Sequence, residues 1–403
     1  MIYRVRAVPD APAALKPINA NWQAVWSLSF GMVAMITGEF LPATLLTPVA
    51  QGLHVTVGVA GQAVTATAFA ALITSLVISG ITYRVDRRWV LLAAACSIVA
   101  SNLLAAIAPD LAIFFIARVL LGIGHGTFLA MMPATVMRLV PSKLIARSFS
   151  LVYGGVSVAL LTGSPLASFL GNAIGWRGAF VMGAGLGLAA LIWQFISLPS
   201  MMPRGLTRIS TVFRLLKRPK IAVGILALLL VYTGHYAFFT YMRPFVEGAT
   251  ALGRNGFSII LIGYGIANIV GVLLSGPLVA RKLWLMLFLS PLFLGIIAVS
   301  LVTVATLSIV KCALVILWGF GYGTVPVAWS AWITRVAHDE AESGGGLMVA
   351  TIQLGISAGA AVGGVAYDRG GASYAFTTSG LILAVAAVVT LLDMRVPSVI
   401  AHP

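Results

Sequence analysis

Long apolar runs broken by short polar turns dominate the chain. Runs of about 20 largely apolar residues match the length a helix needs to cross a hydrocarbon core. A barrel strand needs only about ten residues with strict alternation, so these runs predict helices. In order they predict twelve spans, near 24–47, 59–82, 89–108, 112–138, 148–170, 178–198, 221–245, 257–279, 284–306, 309–335, 345–367 and 373–393. The connections are short except one, at 199–220, which reads PSMMPRGLTRISTVFRLLKRPK. The predicted organisation is a tail (1–23), a six-helix half (24–198), a basic linker (199–220), a second six-helix half (221–395) and a tail (396–403).

One pattern occurs twice. Residues 122–138 read GIGHGTFLAMMPATVMR and residues 319–335 read GFGYGTVPVAWSAWITR, 197 positions on. They fall in the fourth span of each predicted half. Gly80 opens GITYRVDRRWVLL after span two, and Gly276 opens GPLVARKLWLM after span eight. Two halves in the same order and orientation make a parallel repeat, which places a substrate site near the midplane between halves that rock.

Composition agrees with the spans. The chain is 60% hydrophobic and 9% charged, against about 25% charged in soluble domains, so the class is integral membrane protein. The net charge of +15 is explained by loop placement, with no need for nucleic acid. Arg4, Arg6, Lys16, Arg84, Arg87, Arg88, Arg138, Lys143, Arg147, the six cations of the linker, Arg281, Lys282, Arg335 and Arg395 all fall on one side. The other side has only Arg177, Arg254, Lys311 and Arg369. The excess of cations marks the cytoplasmic side, so both termini and the linker are expected there, the linker against the anionic inner leaflet. The first 22 residues lack the apolar core of a signal peptide. Cys96 and Cys312 lie in apolar runs and read as packed thiols.

Two stretches carry a family resemblance. IARVLLGIGHG (116–126) places an Arg ahead of spaced glycines, and GGVSVALLTGSPLASFLG (154–171) carries Gly163, Pro165 and Gly171. With the two-half repeat they resemble the major facilitator superfamily over nearly the whole chain. The resemblance implies an all-α membrane protein of twelve transmembrane helices in two six-helix halves. The second stretch is similar to the family's fifth-helix antiporter motif, a tight helix contact associated with exporters. The resemblance also implies a cytoplasmic gate at Gly80, Asp86, Arg87 and Arg88. The family often has an acid four residues after that Gly. Here that position is Arg84, with Asp86 two further on. NWQAVWSLSF, GEFLPATLLTPVAQGL, YAFFTYMRP, VAWSAWITR and the IQL at 352–354 narrow the resemblance to nucleoside-exporting members of the drug and sugar efflux branch in the bacterial inner membrane. That implies export of inosine- or guanosine-like nucleosides against proton entry. A sugar or multidrug exporter of the same fold is the alternative.

Ionisable groups inside spans are costly and are functional candidates by default. Glu39 is about 15 residues into span one, roughly 23 Å deep, and Arg118 is about six residues from the outer end of span four, roughly 9 Å down. Their depths agree. The expectation is that Glu39 carries the proton and Arg118 tunes it, against the plainer reading of a static ion pair. Arg243 and Glu247, four apart, form a local pair or an interface anchor. Candidate substrate ligands are Tyr241, Gln353, Phe239, Trp329, Asn268, His235 and His125, which supply stacking faces and hydrogen-bonding edges. Each also has a packing interpretation, as an interface anchor or an interhelical tie. One deep acid and few deep bases suit a neutral substrate, since phosphates would want clustered cations. No metal-binding or nucleotide-binding spacing occurs in the sequence, so neither an enzyme nor a cofactor is expected. A monomer is expected, each half packing on the other.

Overall fold

The computed structural model describes residues 20–141, 144–202, 214–249, 255–303, 307–337 and 340–393. Most of the tail 1–23, the linker core 203–213 and the tail 396–403 lie outside the described residues, as do Lys143 and Arg254. The described residues are almost wholly helical and contain no strand. The elements are α1 (Trp22–Thr44), α2 (Leu46–Gly52), α3 (Val57–Ile81), α4 (Arg87–Ile107), α5 (Leu111–Leu139), α6 (Ile145–Val158) and a π turn (Ala159–Gly163). They continue with α7 (Ser164–Ser197), α8 (Pro219–Phe239), α9 (Met242–Ala249), α10 (Gly256–Thr303), α11 (Ser308–Val336) and α12 (Ala341–Asp393). The polar turns start the helices. Asn21, Thr56, Asp86 and Asp110 each accept a hydrogen bond from a first-turn amide of the helix that follows, satisfying a donor the helix itself leaves unpaired.

Among the described residues, ten helical segments are long and apolar enough to cross a membrane. Two of them, Arg147–Ser197 and Gly344–Leu392, run to 51 and 49 residues. At about 1.5 Å per residue each is roughly 75 Å long, more than twice the hydrocarbon thickness. Where the sequence predicts spans five and six, and eleven and twelve, as separate helices, the backbone turns within a few residues. The turns are at Gly175 (φ 82°) and Gly371 (φ 69°), conformations that glycine adopts without a Cβ penalty. Predicted span seven is divided instead: α8 stops at Phe239 and α9 starts at Met242. Pro244 then sits in the first turn of α9, where a missing amide costs no helical hydrogen bond.

The repeated glycine pattern is a pair of equivalent helix contacts. A Cβ on Gly122 or Gly126 of α5 would lie 2.3 Å from the Thr67 or Ala71 carbonyl oxygen of α3. A Cβ on Gly319 or Gly323 of α11 would lie 2.4 Å from the Tyr264 oxygen or 2.2 Å from the Asn268 oxygen of α10. The contacted residues keep the same spacing as the glycines, Tyr264 and Asn268 standing 197 positions after Thr67 and Ala71. The middle glycines turn the other way, Gly124 against Ala94 and Ser97 of α4, Gly321 against Phe293 and Leu294 of α10. A second close contact joins the π turn and α7 to α1 and the residue that follows it. Hypothetical Cβ atoms on Gly163 and Gly171 would meet Thr37 Oγ1 and Leu45 Cδ2, both at 2.3 Å. The π turn ends just before Pro165. A regular α-helix there would drive the proline ring into the carbonyl four residues back, and the wider turn accommodates it.

Gly323→Ala is expected to destabilise the protein by about 1–3 kcal/mol, because a backbone carbonyl cannot swing away from the new methyl. Gly154→Ala, where nothing lies within 4 Å of the added Cβ, is the matched control. Melting temperatures in detergent would compare them. Equal values would show that α10 and α11 are not held by this contact.

Candidate functional site

The deepest polar groups meet at the centre of the bundle. Glu39 of α1, Arg118 and His125 of α5, and Gln353 of α12 are all buried. The plainer reading, a static Glu39–Arg118 ion pair, gives way to a different arrangement. Arg118 donates through Nη2 to the Gly38 carbonyl (2.8 Å) and through Nε to Thr67 Oγ1 (3.3 Å). The close partner of Glu39 is His125, with Nδ1 3.4 Å from Oε2. The reason lies on α5. Arg118 and His125 are two turns apart and share a face, so the histidine reaches the carboxylate while the guanidinium lands one residue earlier, on α1 backbone.

His125 Nε2 lies 3.3 Å from Gln353 Nε2. An imidazole protonated on Nδ1, toward the carboxylate, would accept the amide N–H on Nε2. The chain Glu39–His125–Gln353 thus links α1, α5 and α12. Among the described residues Glu39 Oε1, Gln353 Oε1 and Tyr264 Oη have no hydrogen-bond partner. Arg118 Nη1 and His125 Nδ1 are likewise without a hydrogen-bond partner, and buried acceptors and donors left unpaired are costly.

An aromatic wall faces this centre. Tyr232, His235, Tyr236 and Phe239 recur on α8 at three- and four-residue spacing, so they share one face. Phe239 meets Phe40 of α1 edge-on, ring centroids 5.3 Å apart. His235 stacks on Tyr322 at 3.5 Å and accepts from Trp318 Nε1 at 3.0 Å, so it is a hydrogen-bonded member of the wall. Sequence reasoning missed Tyr232, Tyr236, Tyr264, Trp318 and Tyr322, because buried aromatics look alike in an apolar helix.

Three expected ligands are occupied elsewhere or lie apart. The Tyr241 hydroxyl donates to the Ala360 carbonyl (2.8 Å) and its ring stacks on Tyr367. Asn268 donates to the Gly319 carbonyl (3.3 Å), tying α10 to α11. Trp329 packs edge-on to Trp332 at 5.4 Å, about two turns of α11 from Tyr322.

The two ends of the bundle are differently tied. At one end Asp86 accepts from the Arg88 and Met201 amides, both at 2.8 Å, and from the Ser200 hydroxyl. Partial burial alone would push its carboxyl up, but these hydrogen bonds and the Arg88 charge outweigh it and hold the group below its ordinary value. Arg88 donates to the Phe195 carbonyl (2.8 Å), and the Arg87 amide donates to the Met201 carbonyl (3.1 Å). The Gly80 position faces open space. At the opposite end Arg243 pairs with Glu247 (2.7 Å) as expected, and also donates to the Thr44 carbonyl (2.6 Å) and Asn172 Oδ1 (3.0 Å). Asp368 accepts from Thr56 Oγ1 (2.7 Å) and the Gly58 amide (2.9 Å). Arg243 and Asp368 therefore fasten α9 and α12 to α1, α3 and α7. No group of three or more His, Cys, Asp or Glu side chains suited to a metal occurs among the described residues.

Comparison with known proteins places this geometry. The model of the Major Facilitator Superfamily matches residues 28–360. The purine ribonucleoside efflux pump NepI of Salmonella paratyphi C is 39% identical over 376 residues, covering 93% of this chain and 95% of the relative. The NepI pump of Salmonella enteritidis PT4 is 38% identical with the same coverage. A crystal structure of a POT family transporter in complex with 5-aminolevulinic acid has the same fold, with a TM-score of 0.75 at 14% identity, over 93% of this chain and 96% of that one. The chain belongs to the Major Facilitator Superfamily and is a multi-pass membrane transporter.

Proposed function

We propose that the chain exports purine ribonucleosides in exchange for protons by alternating access. The Glu39–His125–Gln353 chain carries this reading, with its unpartnered carboxylate and amide oxygens at the centre. The relatives' names supply the substrate class. In this proposal residues 24–198 and 221–395 are the two halves, with Gly175 and Gly371 as surface turns that bring the crossings to twelve. The end holding Asp86 is cytoplasmic, as the basic loops require, and the membrane is the bacterial inner membrane. Arg243 and Asp368 then close the outer mouth.

The chemistry follows from what each group can do. Ionised Glu39 accepts hydrogen bonds through both oxygens, one toward His125 and one toward substrate. A 6-oxopurine offers an N–H donor beside a carbonyl acceptor, complementary to an amide or a carboxylate. A proton arriving at Glu39 turns an acceptor into a donor and removes its attraction for Arg118 and His125. The substrate edge then meets the wrong partner and leaves. Proton and nucleoside thus compete for one side chain, which is the condition for exchange: each lowers the affinity for the other by the same factor.

In sealed proteoliposomes with an imposed pH gradient, wild-type protein should drive inosine movement. Glu39→Gln keeps the shape and loses the titration, so gradient-driven movement should fall at least about tenfold while inosine–inosine exchange persists. A variant still driven by the gradient would remove Glu39 from the coupling. Arg243→Ala should loosen the outer mouth. Gln62 of α3 donates to the Ala361 carbonyl of α12 (3.4 Å) near that end, and in a background lacking Cys96 and Cys312 a Gln62→Cys reporter should then react several-fold faster with a membrane-impermeant thiol reagent applied outside. An unchanged rate would mean that Arg243 does not hold that end closed.

A further inference from the structure

The 197-residue register that pairs the glycines also pairs the central residues. From Glu39 it leads to Tyr236, and from His125 to Tyr322. The first half thus presents an acid and an imidazole where the second presents two phenols. The two pairs face one another where Phe40, next to Glu39, meets Phe239, one turn from Tyr236, with ring centroids 5.3 Å apart. Tyr322 also meets the Tyr232 ring edge-on, with centroids 6.1 Å apart. Tyr264 completes the group, its ring against Phe239 at 5.7 Å and its hydroxyl buried without a partner among the described residues.

Packing alone does not account for four hydroxyls here. Phenylalanine would fill the same volume without a polar atom to satisfy, and an unpaired buried hydroxyl is unfavourable. A cluster of phenols has a distinct chemistry. Each hydroxyl donates and accepts, carries no charge at neutral pH, and sits at the edge of a flat apolar face. A sugar ring has the matching surfaces, hydroxyls along its rim and C–H groups on its faces. A nucleobase edge is served better on the other side, where Gln353 Oε1 and Glu39 Oε1 are without a partner among the described residues.

We propose that Tyr232, Tyr236, Tyr264 and Tyr322 form the subsite for the vicinal diol of the ribose, with the base directed toward Gln353 and Glu39. This assignment rests on the nucleoside reading above and adds a specificity to it. The first half titrates, and the second half reads the sugar. A site built to bond a hydroxyl rejects the analogue that lacks it, because the site's own polar groups are left unpaired. Ribonucleosides are therefore preferred over their 2′-deoxy counterparts.

The test is transport of inosine, 2′-deoxyinosine and hypoxanthine by the full-length protein in proteoliposomes. Wild type should favour inosine over 2′-deoxyinosine by at least about tenfold. Tyr264→Phe and Tyr322→Phe, which each remove one oxygen and keep the ring, should reduce that ratio to about two or less. Melting temperatures check that both variants are folded, and Tyr232→Phe and Tyr236→Phe provide a second pair should either fail. A wild type that moves both nucleosides equally, or folded variants that keep the full preference, would overturn the ribose subsite while leaving nucleoside export standing. A wild type that moves hypoxanthine but neither nucleoside would overturn the nucleoside reading itself.

Discussion

The structure depends on backbone-to-backbone approach between helices. In hydrocarbon the lipid tails are as apolar as leucine, so helices gain nothing by hiding from their solvent and are held by close packing and interhelical hydrogen bonds. Gly122 and Gly126 let α5 settle onto carbonyls of α3, and Gly319 and Gly323 do the same for α11 on α10. His125 lies between Gly124 and Gly126, and Tyr322 between Gly321 and Gly323. The motif that seats α5 and α11 therefore also fixes the direction of the residue it encloses. One sequence device seats the helix and aims the side chain, and this is why His125 and Tyr322 occupy corresponding places.

Much of this was legible in the sequence, for physical reasons that differ by feature. Apolar run length predicts helices because the bilayer imposes it, and the doubled glycine pattern shows the repeat because close approach tolerates little else. Glu39 stands out because a carboxylate in a span is rare. Its partner was not legible. Counting residues along a helix gives depth, and Arg118 and His125 both lie on the correct face of α5, so only the rotation of α1 decides between them. Gln353 could be singled out as an amide in apolar surroundings, whereas its contact across to His125 depends on how α12 meets α5.

Other features escaped because their signal is shared with ordinary packing. Tyr236 and Tyr322 are two aromatics among 10 Tyr, 19 Phe and 9 Trp, and only the register from Glu39 and His125 distinguishes them. Tyr241 and Asn268 carry the polar atoms expected of ligands, yet both spend them on neighbouring helix carbonyls. Such ties and ligand contacts draw on the same residue types, so composition cannot separate them. The turns at Gly175 and Gly371 are similarly silent, since this chain has 42 glycines and most serve contacts of another kind.

Gln353 and Asp368 stand on one unbroken stretch of α12, ahead of the break at Gly370 and Gly371. Fifteen residues separate them, about 23 Å along the axis. The stretch is a rod with a buried amide against His125 at one station and a clasp at the other. Pivoting it by about 5° around Gln353 sweeps Asp368 through roughly 2 Å. The clasp is a 2.7 Å hydrogen bond to Thr56 and a 2.9 Å one to the Gly58 amide, and neither survives a displacement of that size. Leverage alone would let a small adjustment around a bound molecule unfasten the far end of the bundle.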